Sequence, residues 1–213
     1  MNNLNINKKV AVIGYSGHGF VAVDILLSAG YEVGGYCDQE EKQYNPFSLE
    51  YLGKETGEKA NDWFQHNDYF ISIGDNRIRE RIYLQLIAKL PHPINAIHPS
   101  AVISPSVKSA QGIFVAAGVV INPLSQIGSG VICNTSCCVD HECIIGDFVH
   151  IAPGSILCGN VEVGARTFVG AGSVVKQGVT IGKDVMIGAG AVVVKDIADN
   201  SVVVGNPLRE LKK

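Results

Sequence analysis

Residues 139–151 read Val139-Asp140-His141-Glu142-Cys143-Ile144-Ile145-Gly146-Asp147-Phe148-Val149-His150-Ile151. An aliphatic residue returns at every sixth place, at Val139, Ile145 and Ile151. Followed outward, the beat runs through Ile97, Ile103, Ser109, Val115, Ile121, Ile127 and Cys133 before this stretch. It continues through Leu157, Val163, Val169, Val175, Ile181, Ile187 and Val193 after it. Fifteen of these seventeen positions are Ile, Val or Leu, and only Ser109 and Cys133 depart, so the phase is held across the whole stretch. Fixed-period self-similarity marks a solenoid, and a six-residue period marks a parallel β-helix of short strands and tight corners.

A strand of about four residues cannot bury its apolar side alone, so each turn must stack on the next. The sixth-position aliphatics then form columns that fill a narrow triangular core. Four places after each comes a small or β-branched residue, among them Val131, Cys137, Cys143, Ser155, Thr167, Ser173 and Ala191, as a cramped corner-flanking position requires. Gly128, Gly146, Gly164, Gly170, Gly182 and Gly188 directly follow an aliphatic. They are expected to supply backbone freedom where the chain turns. The pattern resembles the hexapeptide-repeat family, whose coils wind left-handed. The resemblance implies an all-β left-handed parallel β-helix, against the usual right-handed preference for parallel crossovers.

The 213 residues, 46% hydrophobic and 17% charged, describe a globular chain with ample core. A net charge of −3 gives no electrostatic footprint for nucleic acid. The longest apolar run, Gly112 to Ile121, is too short to span a bilayer, and the polar opening lacks a secretory apolar region. A cytoplasmic protein without membrane insertion is the expectation. The six cysteines form no CxxC pair and are read as small buried hydrophobes.

Before the repeat the pattern changes. Lys9 to Ile13 reads as a strand ending at Gly14-Tyr15-Ser16-Gly17-His18-Gly19, and Phe20 to Leu27 has helical periodicity. Tyr31 to Tyr36 reads as a second strand, Gln39 to Asn61 as polar loop, Tyr69 to Ile73 as a third strand and Arg77 to Leu90 as a helix. This is the layout of a small parallel α/β, Rossmann-like unit. The expected division is an α/β unit over residues 1–95 and a β-helix over 96–213. Ligands gather beyond the carboxyl ends of parallel strands. Three loops meet that condition, at Gly14–Gly19, at Cys37-Asp38 and at Gly74-Asp75-Asn76. No second mononucleotide half follows, so a mononucleotide or nucleotide-sugar fits better than a dinucleotide.

Within the repeat, Asp140-His141-Glu142 is a charged triplet in an apolar tract. An imidazole beside carboxylates suits a general base. Adjacent strand residues point to opposite faces, so Glu142 reaches the His141 ring only if the pair sits at a corner. His150 lies half a coil further on and should not touch His141 within one chain.

The stretches Gly14–Gly19, Gly74-Asp75-Asn76-Arg77-Ile78-Arg79, Ile97-His98-Pro99-Ser100-Ala101, Asn134-Thr135-Ser136, Asp140–Gly146 and Gly205-Asn206-Pro207 together resemble the sialic-acid O-acetyltransferase-like (NeuD-type) branch of hexapeptide acyltransferases. Within that branch they are most similar to the PglD-like enzymes that N-acetylate a UDP-linked 4-amino sugar in bacillosamine biosynthesis. The resemblance implies acetyl-CoA as co-substrate, a homotrimer with clefts between subunits, and no metal. It implies His141 as general base with Glu142 raising its basicity. It places His150 and Asn134 by the thioester, with Gly159, Ala171 and Ala189 along the pantetheine arm on successive coils. Ser16, Gly17, His18, Asp38 and Gly74 would hold the nucleotide-sugar. The family often has two acidic residues where this chain has Asp38-Gln39, which bears on the identity of the base.

Three other classes share parts of the pattern. A γ-type carbonic anhydrase needs a His-x4-His pair, which is missing here. An O-acetyltransferase of sialic acid or another polysaccharide precursor would use the same base. A non-catalytic assembly module would leave Asp140-His141-Glu142 without a purpose. A covalent route through Cys143 is the remaining chemical alternative.

Overall fold

The computed structural model describes residues 8–211. Its first part is a four-stranded parallel sheet in the order β3-β2-β1-β4, with β1 Val10–Ile13, β2 Val33–Cys37, β3 Glu50–Tyr51 and β4 Asp68–Ile71. Helix α1 (Gly17–Ser28) follows β1, α2 (Glu58–His66) precedes β4, and α3 (Asn76–Ile87) follows it. The segment 39–61, expected to be loop alone, contains β3 and the start of α2. The reason is burial of two side chains in a mostly polar helix, Ala60 and Phe64, a stripe too thin to stand out as periodicity.

From Ala96 onward the chain winds as a parallel β-helix. Two-residue strands stack on partners eighteen positions away, as in Val120↔Cys138, Cys138↔Ile156 and Ile156↔Val174. Three faces result. One is an eight-stranded sheet running from Ala96–Ile97 through His150–Ile151 to Val202–Val204 and closed by Arg209–Glu210. One is a six-stranded sheet from Val102–Ile103 to Val192–Val193, and one a five-stranded sheet from Lys108–Ser109 to Thr180–Ile181. Beyond the first coil, where Ser109 is exposed, the second residue of each coil strand faces the core: Val115, Cys133, Val139, Ile151, Leu157, Val169, Val175, Ile187 and Val193 are wholly buried. The small residues four places on are buried as well, and their hydroxyls bond along the coil axis. Ser155, Thr167 and Ser173 donate to the carbonyls of Gly170, Gly182 and Gly188 at 2.8, 2.8 and 3.0 Å. Hydroxyls therefore sit in a dry core without an unpaired group.

The glycines that directly follow the aliphatics do not supply the turns. Their φ is not positive. They are small because the next coil's backbone passes at close range, a Cβ on Gly146 meeting the Ala165 amide nitrogen at 2.8 Å. The left-handed residues stand two places later, at every sixth position from Gly112 to Gly190. Seven of them carry side chains, Leu124, Ser136, Glu142, Phe148, Asn160, Arg166 and Asp184, and Asn200 is left-handed beyond the series.

The outward residues of the three faces explain how the halves fit. Outward positions of the eight-stranded face are Phe114, Ile132 and His150, all buried under the α/β unit, followed by half-buried Phe168 and exposed Met186. The five-stranded face turns Lys108, Gln126, Glu162 and Thr180 to solvent. The six-stranded face turns out Val102, Val120, Cys138, Ile156, Val174 and Val192, an unbroken apolar column with Val102 and Ile156 64% and 42% exposed.

Candidate active site

The three expected loops do converge at the carboxyl edge of the α/β sheet. The Gly14 amide donates to the Cys37 carbonyl at 2.8 Å, and the Ser72 hydroxyl donates to the Gly14 carbonyl at 2.7 Å. Gly14 has φ +95°, and a Cβ on Gly19 would run into the Gly14 carbonyl, so two of the three motif glycines are fixed by backbone packing. Gly17 has open space around it. Ser16 precedes α1 without capping it by its side chain, leaving first-turn N–H groups facing the loop, the arrangement that receives anions. The N-terminus of α3 is different, because the Asp75 carboxylate accepts from the Arg77 and Ile78 amides at 3.0 and 2.8 Å.

Asp38 is occupied by its own loop. One oxygen accepts from the Tyr15 amide at 3.0 Å, the other from the Gln39 amide at 2.7 Å and the Lys42 ammonium at 3.1 Å. It therefore shapes the loop wall. His18 packs on Phe114 with ring centroids 4.6 Å apart and lies 6.2 Å from His150. Its Nε2 is buried without a partner. Burial, reinforced by the Arg79 charge, holds its pKa down at about 4.

His141 and Glu142 stand at the corner between the six- and five-stranded faces. Glu142 has φ 60°, and this left-handed turn swings its side chain back, so that the His141 Nδ1 lies 3.0 Å from Glu142 Oε2. The corner placement is what permits a contact between neighbours in sequence. The carboxylate takes the Nδ1 hydrogen and leaves the Nε2 lone pair outward. Asp140 does not orient the ring. Its Oδ1 accepts from the His141 amide and the Asn122 side chain, both at 2.8 Å, and so braces the backbone. Those two bonds hold the Asp140 carboxyl below its usual range. Gly159, one coil on, lies against the imidazole, where a Cβ would come within 2.5 Å of Cε1 and Nε2.

The residues assigned to the co-substrate divide between two corners. Gly159 belongs with His141. Asn134, Ala171 and Ala189 lie at the corner between the eight- and six-stranded faces, where the Gly190 amide donates to the Ala171 carbonyl. The expectation that Gly159, Ala171 and Ala189 follow one another on successive coils fails, because a coil is eighteen residues and Gly159 precedes Ala171 by only two corners. His150 is likewise not an open group: it is 8% exposed, sits under the α/β unit and touches Gly74 and Asn134. It does not reach the His141 corner. Cys143 is buried with its thiol on the Cys158 carbonyl, and burial pushes its pKa up to about 11, which makes it a poor nucleophile. A cleft of about 440 Å³ opens between Gly74–Arg77 and the exposed end of the eight-stranded face at Phe168 and Met186; His141 does not line it.

The PglD N-terminal domain model matches residues 9–86, and the bacterial transferase hexapeptide (six repeats) model matches residues 142–177 and 160–195. The acetyltransferase domain of PglB from Neisseria gonorrhoeae FA1090, solved in complex with acetyl coenzyme A, is 36% identical. It superposes with a TM-score of 0.89 over 96% of this chain and 100% of that one. The chain belongs to the PglD-like hexapeptide acetyltransferases. A variant of the perosamine N-acetyltransferase from Caulobacter crescentus, in complex with CoA and GDP-perosamine, is 38% identical, with a TM-score of 0.90 over 96% of this chain and 97% of that one. A GDP-perosamine N-acetyltransferase from Escherichia coli O157:H7 is 34% identical over 103 residues. That match covers 48% of this chain and 47% of the relative, about half its length. Among the described residues no group of three or more His, Cys, Asp or Glu could hold a metal ion, and no helix is long and apolar enough to cross a membrane.

Sequence reasoning missed a buried residue that bonds across the two parts of the chain. Arg79, on α3, is 1% exposed and reaches the β-helix backbone at Gly130 and Phe148. It was visible only as the last letter of the Gly74–Arg79 motif.

Proposed function

We propose that the chain is an acetyl-CoA-dependent N-acetyltransferase of a nucleotide-linked amino-deoxy sugar, acting on its 4-amino group in the cytoplasm. The observation that carries the reading is the His141–Glu142 pair, an imidazole turned out of a corner with one nitrogen held by a carboxylate and the other open. The sugar amine attacks the thioester carbonyl and His141 Nε2 takes its proton, while the thiolate of CoA leaves from the tetrahedral intermediate. The α/β loops around Ser16, Gly17 and His18, with the uncapped start of α1, suit the diphosphate.

The same reading includes a homotrimer. The apolar six-stranded face separates the His141 corner from the Asn134–Ala171–Ala189 corner. Packing that face against neighbouring copies buries the Val102–Val192 column and brings one copy's His141 beside the next copy's co-substrate corner. Acetyl-CoA then lies between subunits, along Ala171 and Ala189.

For the nucleotide, the PglD-like pattern favours UDP. The two GDP-perosamine relatives favour GDP. Mass spectrometry of UDP- and GDP-linked 4-amino sugars incubated with enzyme and acetyl-CoA, with free sialic acid alongside, tests the reading. Gain of one acetyl group on a nucleotide-linked amino sugar, lost in His141→Ala, is the expected result. Acetylation of sialic acid alone would replace it with O-acetyl transfer.

A further inference from the structure

Arg79 is a guanidinium in the interior with no carboxylate in contact. Its five N–H donors are all used, and on neutral oxygens: Nε on the Gly130 carbonyl at 2.7 Å, Nη1 on the Ile73 and Gly74 carbonyls at 2.9 and 3.0 Å, Nη2 on the Asn76 side-chain oxygen at 2.8 Å and the Phe148 carbonyl at 2.9 Å. A buried charge with no bonded counter-ion is costly, and burial draws its pKa down to about 9, against the opposing pull of the nearby Asp75 carboxylate. Fastening the two halves would not need a buried charge, since Asn76, bonding the Arg166 carbonyl at 2.9 Å, and the half-buried Arg166–Glu80 ion pair at 3.0 Å already do so.

The Gly74 carbonyl also receives the Nδ1 hydrogen of His150 at 3.4 Å. On the other side of that ring, Asn134 Oδ1 accepts from the Thr135 amide at 2.8 Å, so the Asn134 amide nitrogen faces His150 Nε2 at 3.2 Å and donates to it. Both bonds require one form of the ring, neutral with hydrogen on Nδ1. Burial opposes a second proton on the ring, and so do Arg79 and His18, the charged and titratable groups that face it, while the bond to the Gly74 carbonyl favours one. The remaining neighbour, Phe168, carries no charge and meets the ring edge-on at 4.9 Å between centroids.

We propose that Arg79 is a positioning residue: it holds the Gly74 carbonyl where that oxygen accepts the Nδ1 hydrogen of His150, which leaves Nε2 as the acceptor and thereby fixes Asn134 at the co-substrate corner. The line Arg79–Gly74–His150–Asn134 joins the loop that receives the nucleotide-sugar to the corner that receives acetyl-CoA, and its kinetic consequence rests on the function proposed above.

The test is ¹⁵N NMR of the imidazoles in the full chain, wild type against Arg79→Met, with Asn76→Ala as a milder variant that loosens one Arg79 bond. In the wild type the His150 signals should report the neutral Nδ1–H form at pH 5. In Arg79→Met the ring should begin to protonate at a pH about one unit or more higher, with a smaller shift in the same direction for Asn76→Ala. A wild-type ring with hydrogen on Nε2, or a His150 titration unmoved in the folded variants, overturns the proposal whatever the enzyme acetylates. Kinetics supply the second reading: KM for both substrates rises roughly fivefold or more in Arg79→Met, with kcat less affected. If NMR behaves as expected while no acetyl transfer is found in the wild type, the functional reading has failed and the positioning role has not.

Discussion

At the corner between the six- and five-stranded faces, the His141 side chain is 47% exposed, with one nitrogen on a carboxylate and the other open. On the eight-stranded face, His150 is buried under a second folding unit with both nitrogens engaged on neutral groups. The residues are nine apart, half a coil, and the β-helix converts that spacing into opposite environments. An open nitrogen beside a fixed carboxylate can accept a proton and give it up. A ring closed on both sides holds its neighbours still. On the function proposed above, the same side chain is a base in one place and a spacer in the other, and the difference comes from the corner, where Glu142 takes a left-handed turn.

His141→Ala gives the largest break. Turnover should fall about 10²- to 10⁴-fold with the melting temperature nearly unchanged, because the ring supports no packing; a comparable loss of both would remove the distinction between the two histidines. Glu142→Gln, which keeps the turn and removes the charge, should lower turnover about ten- to a hundredfold. Gly159→Ala places a methyl group against the imidazole and should tilt it off the carboxylate. A drop in kcat with KM for the nucleotide-sugar retained separates this from a folding defect.

The buried partner shows itself in acid. His18 and His150 have pKa values near 4 in the folded chain against an ordinary 6.5. The unfolded chain therefore binds more protons between those values, so the stability from keeping the rings neutral is present above pH 6.5 and lost as pH falls toward 4. The loss is roughly 3 kcal/mol per ring at most. Urea midpoints at pH 7 and 5 measure it, and His150→Leu should narrow the gap between them. The smallest expected effect on the isolated fold is Ile156→Glu on the apolar face, which should leave secondary structure intact and turn the proposed trimer into monomers in sedimentation velocity. A trimer that survives it would place the interface elsewhere.

The β-helix was legible because each inward position repeats six residues on, and one burial rule acts at every repeat. The three α/β loops were legible because glycine and Asp mark strand ends. The glycines after the aliphatics misled, since sequence does not separate a glycine needed for φ from one needed for thinness. Gly146 is of the second kind. The resemblance groups Gly159 with Ala171 and Ala189, although the corner a residue occupies depends on its remainder after division by eighteen. Arg79 could not be read at all: its partners at Gly130 and Phe148 are 51 and 69 residues away and offer only carbonyls, which every residue has.

The eighteen-residue coil works like a reading frame. Each residue's face and depth are set by counting from the last corner, so one residue lost between Val139 and Leu157 would turn the inward column outward in every later coil. Such a chain tolerates change in whole hexads at its open end, or in loops that leave a corner and return to it. His141 sits early in the count, and the coils after it must keep step for Gly159 to arrive beneath its ring.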